Sequence, residues 1–355
     1  MSSDAIPAPG RPPAAPPIRK IAVEEHFGHP AGMQSTHGEL DLEKQAHTEG
    51  LVADTLSFLW SRLTDFEVRL RRMDDAGIDM ALLSLTTPGV QAIPDRAQAV
   101  AVARDINDYL AEQVVARWPD RFAGFATVPL QDPEAAVAET ERAVRDLGFK
   151  GVLVNGYSDT GDPETAEYLD LPKFRPFWEA TAALGVPVYL HPRAALRRDP
   201  YQGHPELVGA TWGYGPETAT HALRLVYSGL FDRVPKATVI LGRLGETLPS
   251  HAWRVQHCFE FNPFDKRPER RLQDYLADNF YVTTSGNHSD VALLSALLAL
   301  GSDRILFSAD YPYEQMDHGA RWIEHTQISE SDRRKICHGN AERLFGLTAG
   351  ARAGG

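Results

Sequence analysis

Only two cysteines, Cys258 and Cys337, occur in the 355 residues. Two distant thiols make neither a disulfide framework nor a zinc-finger spacing, which fits a reducing cytosol and a cytoplasmic protein. No run of about 18 apolar residues is present, so no membrane-spanning helix is expected. Basic residues are in deficit: 36 Lys and Arg against 48 Asp and Glu leave a net charge of −12. Such a surface repels a phosphate backbone, and nucleic acid is not an expected partner. No G-x-G-x-x-G follows the first apolar run, which counts against a dinucleotide site. The start, 1–18, is rich in Pro and Ala and lacks the apolar centre of a signal peptide, so it reads as a disordered tail. Residues 348–355 read as a flexible end, leaving 19–347 as one domain.

What is present is an alternation. Eight apolar runs, at 21–26, 80–85, 122–128, 151–155, 186–191, 238–242, 280–284 and 305–308, read as strands. They are rich in Val, Ile, Leu and Phe without polar alternation, as in parallel strands covered on both faces. Helical patterns follow at 65–76, 97–118, 133–147, 174–184, 218–227, 248–259, 291–300 and 332–344. Asp132-Pro133 is a good N-terminal pair, and Gly77 and Gly148 are good C-terminal stops. Eight strands alternating with helices predict an α/β fold of the (β/α)8 TIM-barrel type, with an open doubly wound sheet as the alternative. Connections at 29–64, 192–217 and 261–273 are long, and the first two leave strand C-termini, where barrel active sites lie.

The chemistry sits at those strand ends. Glu24 and His26 are two residues apart in the first run, so they share one face while Glu25 turns away. Alone the pair is weak, because a strand-end histidine is more often a structural residue. But His191 ends the fifth run, Arg243 and Glu246 follow the sixth, and Asp310 follows the eighth. A barrel brings these ends to one rim. Glu24, His26, His191 and Asp310 then supply two nitrogens and two carboxylates, a set suited to one divalent ion. Trp212 and Tyr214, in the second long connection, either close over a substrate or pack that loop. Histidines without a strand-end context, His221 and His257 among them, read as surface or helix-packing residues.

Several local signatures sharpen this reading: VEEHF at 23–27, QAIPDR at 91–96, VPLQDPEAA at 128–136, LVNGYS at 153–158, YLHPR at 189–193, SGLFD at 228–232 and ILFSADYPYE at 305–314. With them the chain, from about Lys20 to Leu347, resembles the amidohydrolase superfamily of metal-dependent barrels. The likeness is closest to its decarboxylase branch, typified by γ-resorcylate (2,6-dihydroxybenzoate) decarboxylase. The resemblance implies Glu24, His26, His191 and Asp310 as ligands of one divalent metal ion (Zn, Mn or Mg), with no organic cofactor. It implies Asp310 as the proton donor, Glu246 and Arg254 near the site, and Tyr313 beside the substrate ring. The implied activity is non-oxidative decarboxylation of a small hydroxylated aromatic acid, in a homodimer or homotetramer to which Trp60 and Trp322 are candidate contacts.

One departure stands out. The branch reads ILGHxGE after the sixth strand, and this chain reads Ile240-Leu241-Gly242-Arg243-Leu244-Gly245-Glu246. Arginine stays protonated at neutral pH and does not shuttle a proton as the branch histidine would. It can hold a carboxylate bidentately, or pair with Glu246 or Asp310 and keep that group ionised. An ionised Asp310 suits a base, which favours the alternative activity: hydrolysis or hydration of an ester, amide, lactone or conjugated acid. A barrel that binds a small acid without turning it over is the lesser alternative. Arg243→His is expected to raise turnover of simple dihydroxybenzoates in a steady-state assay; no change or a loss would assign Arg243 to a different substrate.

Overall fold

The computed structural model describes residues 18–29, 53–261 and 268–347. Strands form in all eight apolar runs: β1 (Ile21–Phe27), β2 (Met80–Leu85), β3 (Phe122–Gly124), β4 (Val152–Asn155), β5 (Val188–His191), β6 (Val239–Leu241), β7 (Phe280–Thr283) and β8 (Ile305–Leu306). Parallel ladders order them β1-β2-β3 and β4-β5-β6-β7-β8. The expected third strand is cut short at Gly124, because the chain beyond it leaves β2 and bridges to β4 through Ala126 and Val152. On the other side β8 returns to β1. Val23 N donates to Phe307 O at 3.1 Å, and Asp310 N donates to Glu24 O at 3.2 Å. The ring closes as a (β/α)8 barrel, which leaves no open sheet edge.

Both faces of the wall are apolar. Ile21, Val23, Leu82, Leu153, Tyr189, Ile240 and Leu306 pack inside with Phe345. Ala22, Ala81, Leu83, Val154, Leu190, Leu241 and Val282 pack outward beneath the helices. On β1 this alternation would turn Glu24 outward after Val23. The register prevents it: Ala22 pairs with Ala81, but Glu25 pairs with Leu83, so β1 spends three steps where β2 spends two. The extra residue is a β-bulge, and it reverses the faces beyond it. Glu24 and His26 therefore point into the barrel mouth.

The helices follow their caps. In Phe66–Ala76, Asp65 accepts from Val68 N, and Gly77 ends the helix with φ 66°. In Pro133–Arg145, Asp132 accepts from Ala135 N. The long helix expected over 97–118 runs as Arg96–Tyr109 and then a wider π turn, Leu110–Val115. Among the described residues, helices that go beyond the sequence reading include Ala53–Thr64, Leu272–Asn279 and Met316–His325. The last buries Met316, Gly319, Ala320 and Ile323, an i, i+3, i+4, i+7 stripe. Gly319 is required there, since a Cβ would stand 2.7 Å from His288 Nε2. Residues 1–17 and 348–355, the expected tails, lie outside the described residues, as do 30–52 and 262–267 of the long connections. Among the described residues no helix is long and apolar enough to cross a membrane.

Glu25, turned away from the mouth, joins the two ends of the ring. Its Oε1 accepts from Ala309 N at 2.8 Å, Ser308 Oγ at 3.1 Å and Asp310 N at 3.3 Å, and Oε2 accepts from Tyr311 N at 3.0 Å. Burial pushes this carboxyl up to about 7, against the pull of the backbone donors and of Arg69. Arg69, fully buried, also donates to the carbonyl of His26. Glu25→Gln would set an amide NH2 against this array and leave Arg69 without its counter-charge. At pH 8 it is expected to lower the unfolding free energy by about 1–3 kcal/mol, the cost of leaving buried donors unsatisfied, measured from denaturant midpoints.

Candidate metal centre

Four strand ends place their polar groups at the mouth. Glu24 and His26 come from β1, His191 from the end of β5, and Asp310 from the turn after β8; all four are buried. Glu24 Oε1 lies 3.2 Å from His191 Nε2 and 3.6 Å from His26 Nε2. Asp310 Oδ1 lies 3.3 Å from His26 Nε2. One ligand atom each from Glu24, His26 and His191 fall within 4.8 Å of one another. His26 Nε2, His191 Nε2 and Asp310 Oδ1 are buried without a hydrogen bond. Buried polar atoms are nearly always satisfied, and three orphans converging on one point fit a divalent cation.

The surrounding shell supports that fit. His191 Nδ1 meets Asn155 Oδ1 at 2.8 Å, and His26 Nδ1 meets Ser84 Oγ at 3.2 Å. An acceptor at Nδ1 holds the proton there and leaves the Nε2 lone pair for a metal. Glu24 Oε2 faces the other way, accepting from the Tyr189 hydroxyl and from Thr283 Oγ1. Burial raises the Glu24 carboxyl, but the imidazoles of His191 and His26 beside it and the charge of Arg243 outweigh it and hold the group well below its usual range. His26 is driven up to about 9: burial opposes the shift, and Asp310 and Glu24 overcome it. His191 is lowered to about 4 by burial and by the charge of His26. The cluster thus draws one positive charge to its centre.

Arg243 supplies another from the rim of β6. Its Nη2 is 3.0 Å from Asp310 Oδ2, and its Nη1 is 3.5 Å from Glu24 Oε1 and 3.6 Å from Glu246 Oε1. The arginine does not choose between Glu246 and Asp310; it meets both, and Glu24 as well. Glu246 is raised to about 7 by burial, against the pull of Arg243. The backbone there is left-handed for five residues: Arg243 (φ 49°), Leu244 (56°), Gly245 (89°), Glu246 (51°) and Thr247 (69°). Each non-glycine residue costs about 1–2 kcal/mol in that region. Arg243 N, bonded to Ser285 O at 3.1 Å, and Gly245 N, bonded to Gly242 O at 2.8 Å, hold the turn. Gly242 also lets the backbone pass Glu24, since a Cβ would stand 2.9 Å from its Oε2.

These groups open into a cavity of about 600 Å³. His191, Arg243, Glu246 and Asp310 line its buried end, and Leu59, Trp60, Trp212 and Tyr313 are among its other walls. Tyr313 bonds the Thr86 hydroxyl, and its ring lies edge-on to His26 at 5.6 Å. Trp212 is 57% exposed at the mouth, whereas Tyr214 is buried against Ala194 and Val208. Both residues line the cavity, and Tyr214 packs the loop as well. Arg254 is not brought in: it is exposed on the helix Leu248–Phe261 and absent from the cavity wall. His257 is also exposed, stacked 4.9 Å from Trp253, and buried His221 accepts from Leu169 N. A second cavity of about 650 Å³, walled by Asp170, Arg175, Tyr227 and Arg233, includes none of the strand-end groups. Sequence reasoning missed Asn155, Tyr189 and Ser84, although Asn155 ends β4 as His191 ends β5, and Tyr189 precedes His191 by two on the same face.

Comparison with known proteins gives a consistent likeness. The amidohydrolase family profile matches residues 58–347. The γ-resorcylate decarboxylase of Rhizobium sp. (strain MTP-10005) is 48% identical over 336 residues, covering 92% of this chain and 98% of that one. The crystal structure of a 2,6-dihydroxybenzoate decarboxylase complexed with 2,6-dihydroxybenzoate superposes with a TM-score of 0.85 at 48% identity, over 93% of this chain and 100% of that chain. A dihydroxybenzoic acid decarboxylase from Polaromonas sp. JS666, with bound manganese and the inhibitor 2-nitroresorcinol, gives 0.84 at 47% identity, over 93% and 97%. Asn155→Ala, which frees the His191 ring, is expected to weaken divalent-ion binding by about 10- to 100-fold, measured by competition with a metallochromic indicator.

Proposed function

The chain belongs to the amidohydrolase family, and on that premise we propose that it is a metal-dependent decarboxylase of a dihydroxybenzoate-type aromatic acid. The observation that carries this reading is the convergence of Glu24, His26 and His191, with Asp310 beside them, at the buried end of a cavity large enough for the ring. Glu24, His26, His191 and Asp310 would hold the ion. Manganese is the assignment favoured by the Polaromonas relative, and a nitrogen-and-carboxylate donor set suits it. When bound, the ion supplies orientation and positive charge to the oxygens of the substrate.

The residues of the chain do the rest. Trp60, Trp212 and Tyr313 wall the ring. Asp310 takes the proton of the substrate hydroxyl on binding and returns it to the ring carbon that bears the carboxylate. Aromaticity is lost at that step. The carbon–carboxylate bond then breaks, carbon dioxide leaves, and the bonding pair restores the aromatic ring. Arg243, 3.0 Å from Asp310 Oδ2, fixes the direction in which the other oxygen points. A homodimer or homotetramer is the proposed assembly, supported by Val291, Leu294 and Leu298 on the helix Asp290–Leu300, which are 80%, 57% and 80% exposed.

The test is a mass-resolved incubation of the manganese-loaded protein with 2,6-dihydroxybenzoate and related acids. Loss of carbon dioxide is expected. Addition of water to an ester or lactone, with no decarboxylation of any acid, would replace this reading by hydrolysis. Asp310→Asn is expected to lower kcat by about 10²- to 10⁴-fold, the usual worth of a positioned proton donor, with the circular-dichroism spectrum unchanged.

A further inference from the structure

We propose that Arg243 is a resident cation of the metal centre: it holds Glu24 and Asp310 together when no divalent ion is present, and it competes with the ion for them. The inference rests on the metal-centre reading above and goes beyond it. Glu24 offers its two oxygens to different partners. Oε2 is taken by Tyr189 and Thr283, and Oε1 faces His26 and His191. The guanidinium addresses that same Oε1, at 3.5 Å. Asp310 is divided in the same manner, Oδ1 toward His26 and Oδ2 toward Arg243. Ion and arginine therefore draw on the same two carboxylates.

The surroundings commit Arg243 to this place. It is the only Arg or Lys lining the cavity among the described residues, and Glu24, Glu246 and Asp310 lie around it. A guanidinium keeps its charge when buried among acids. Its backbone lies in the left-handed turn, and the Tyr214 ring lies 5.9 Å from the guanidinium carbon. At Gly286, with φ 60°, a Cβ would stand 3.0 Å from Asp310 Oδ2 and 3.4 Å from Arg243 Nε, so the missing side chain makes room for the pair. A tethered cation does not diffuse away, so an arriving ion meets a fixed positive charge at its own ligands. Weak ion binding and a metal-free protein that stays folded follow together.

The experiment uses chelator-stripped full-length protein, with Mn²⁺ binding read by indicator competition and thermal midpoints read with and without Mn²⁺. Arg243→Gln keeps much of the side-chain volume and removes the charge. It is expected to bind Mn²⁺ about 10- to 100-fold more tightly, the range over which groups touching metal ligands act, and to melt at a lower temperature than wild type when stripped. Arg243→Lys is expected to stay within a few-fold of wild type in binding. Unchanged affinity and unchanged metal-free midpoint in Arg243→Gln would overturn the proposal. If Arg243→Gln does not fold without metal, Mn²⁺ added during refolding is expected to rescue it, and a chain still unfolded in saturating Mn²⁺ would overturn the proposal too. A wild-type protein that binds no Mn²⁺ at all would instead remove the metal-centre reading beneath it.

Discussion

One extra residue in β1 organises this molecule. The bulge between Ala22 and Glu25 turns two consecutive glutamates to opposite sides of the barrel wall. Glu24 goes inward, where its two oxygens divide between the imidazoles and the Tyr189 hydroxyl. Glu25 goes the other way and gathers the backbone N–H groups of 309–311. The second contact positions Asp310, and the first positions the imidazoles. Ring closure and site assembly thus depend on one register shift, and without it Glu24 would lie beneath the helices instead of in the mouth.

Burying this many charges is costly unless each finds a partner. Here the partners are shared. Arg243 serves three carboxylates, Glu24 serves two imidazoles and a phenol, and Asp310 lies between an imidazole and a guanidinium. The left-handed turn at 243–247 is part of the same arrangement: it costs backbone strain and sets Arg243 and Glu246 on one side, where their side chains meet. The surplus of negative charge at the centre makes the cluster hospitable to a divalent cation, and the single guanidinium moderates that surplus.

Much of this was legible along the chain. The eight strands follow from apolar runs buried on both faces, and the helix ends at Gly77 and Asp132 follow from residue types that satisfy free backbone groups. The four strand-end groups at the mouth were visible because an ionisable residue directly beside a buried apolar run is costly to hold there without a partner at the rim. Asn155 and Tyr189 carried the same signal and were passed over. Met316–His325 is less legible: it is a short amphipathic stretch with a glycine inside, and the ring of His288, which faces Gly319, lies on a different segment. Arg254 shows the opposite failure: a matching position in the sequence left its side chain exposed and out of the cavity wall.

The sequence by itself determined the barrel, the residue types at its mouth and the arginine in an unusual place. These are local properties: periodicity, composition and spacing are read within a few residues. The tertiary structure decided which oxygen meets which nitrogen, that Arg243 joins Glu24 as well as Asp310 and Glu246, and that Glu25 joins the first strand to the turn after the last. Those contacts link segments more than 200 residues apart, from Glu24 to Arg243 and from Glu25 to Asp310. Their geometry depends on a hydrogen-bond register between β1 and β2 that neither segment carries alone.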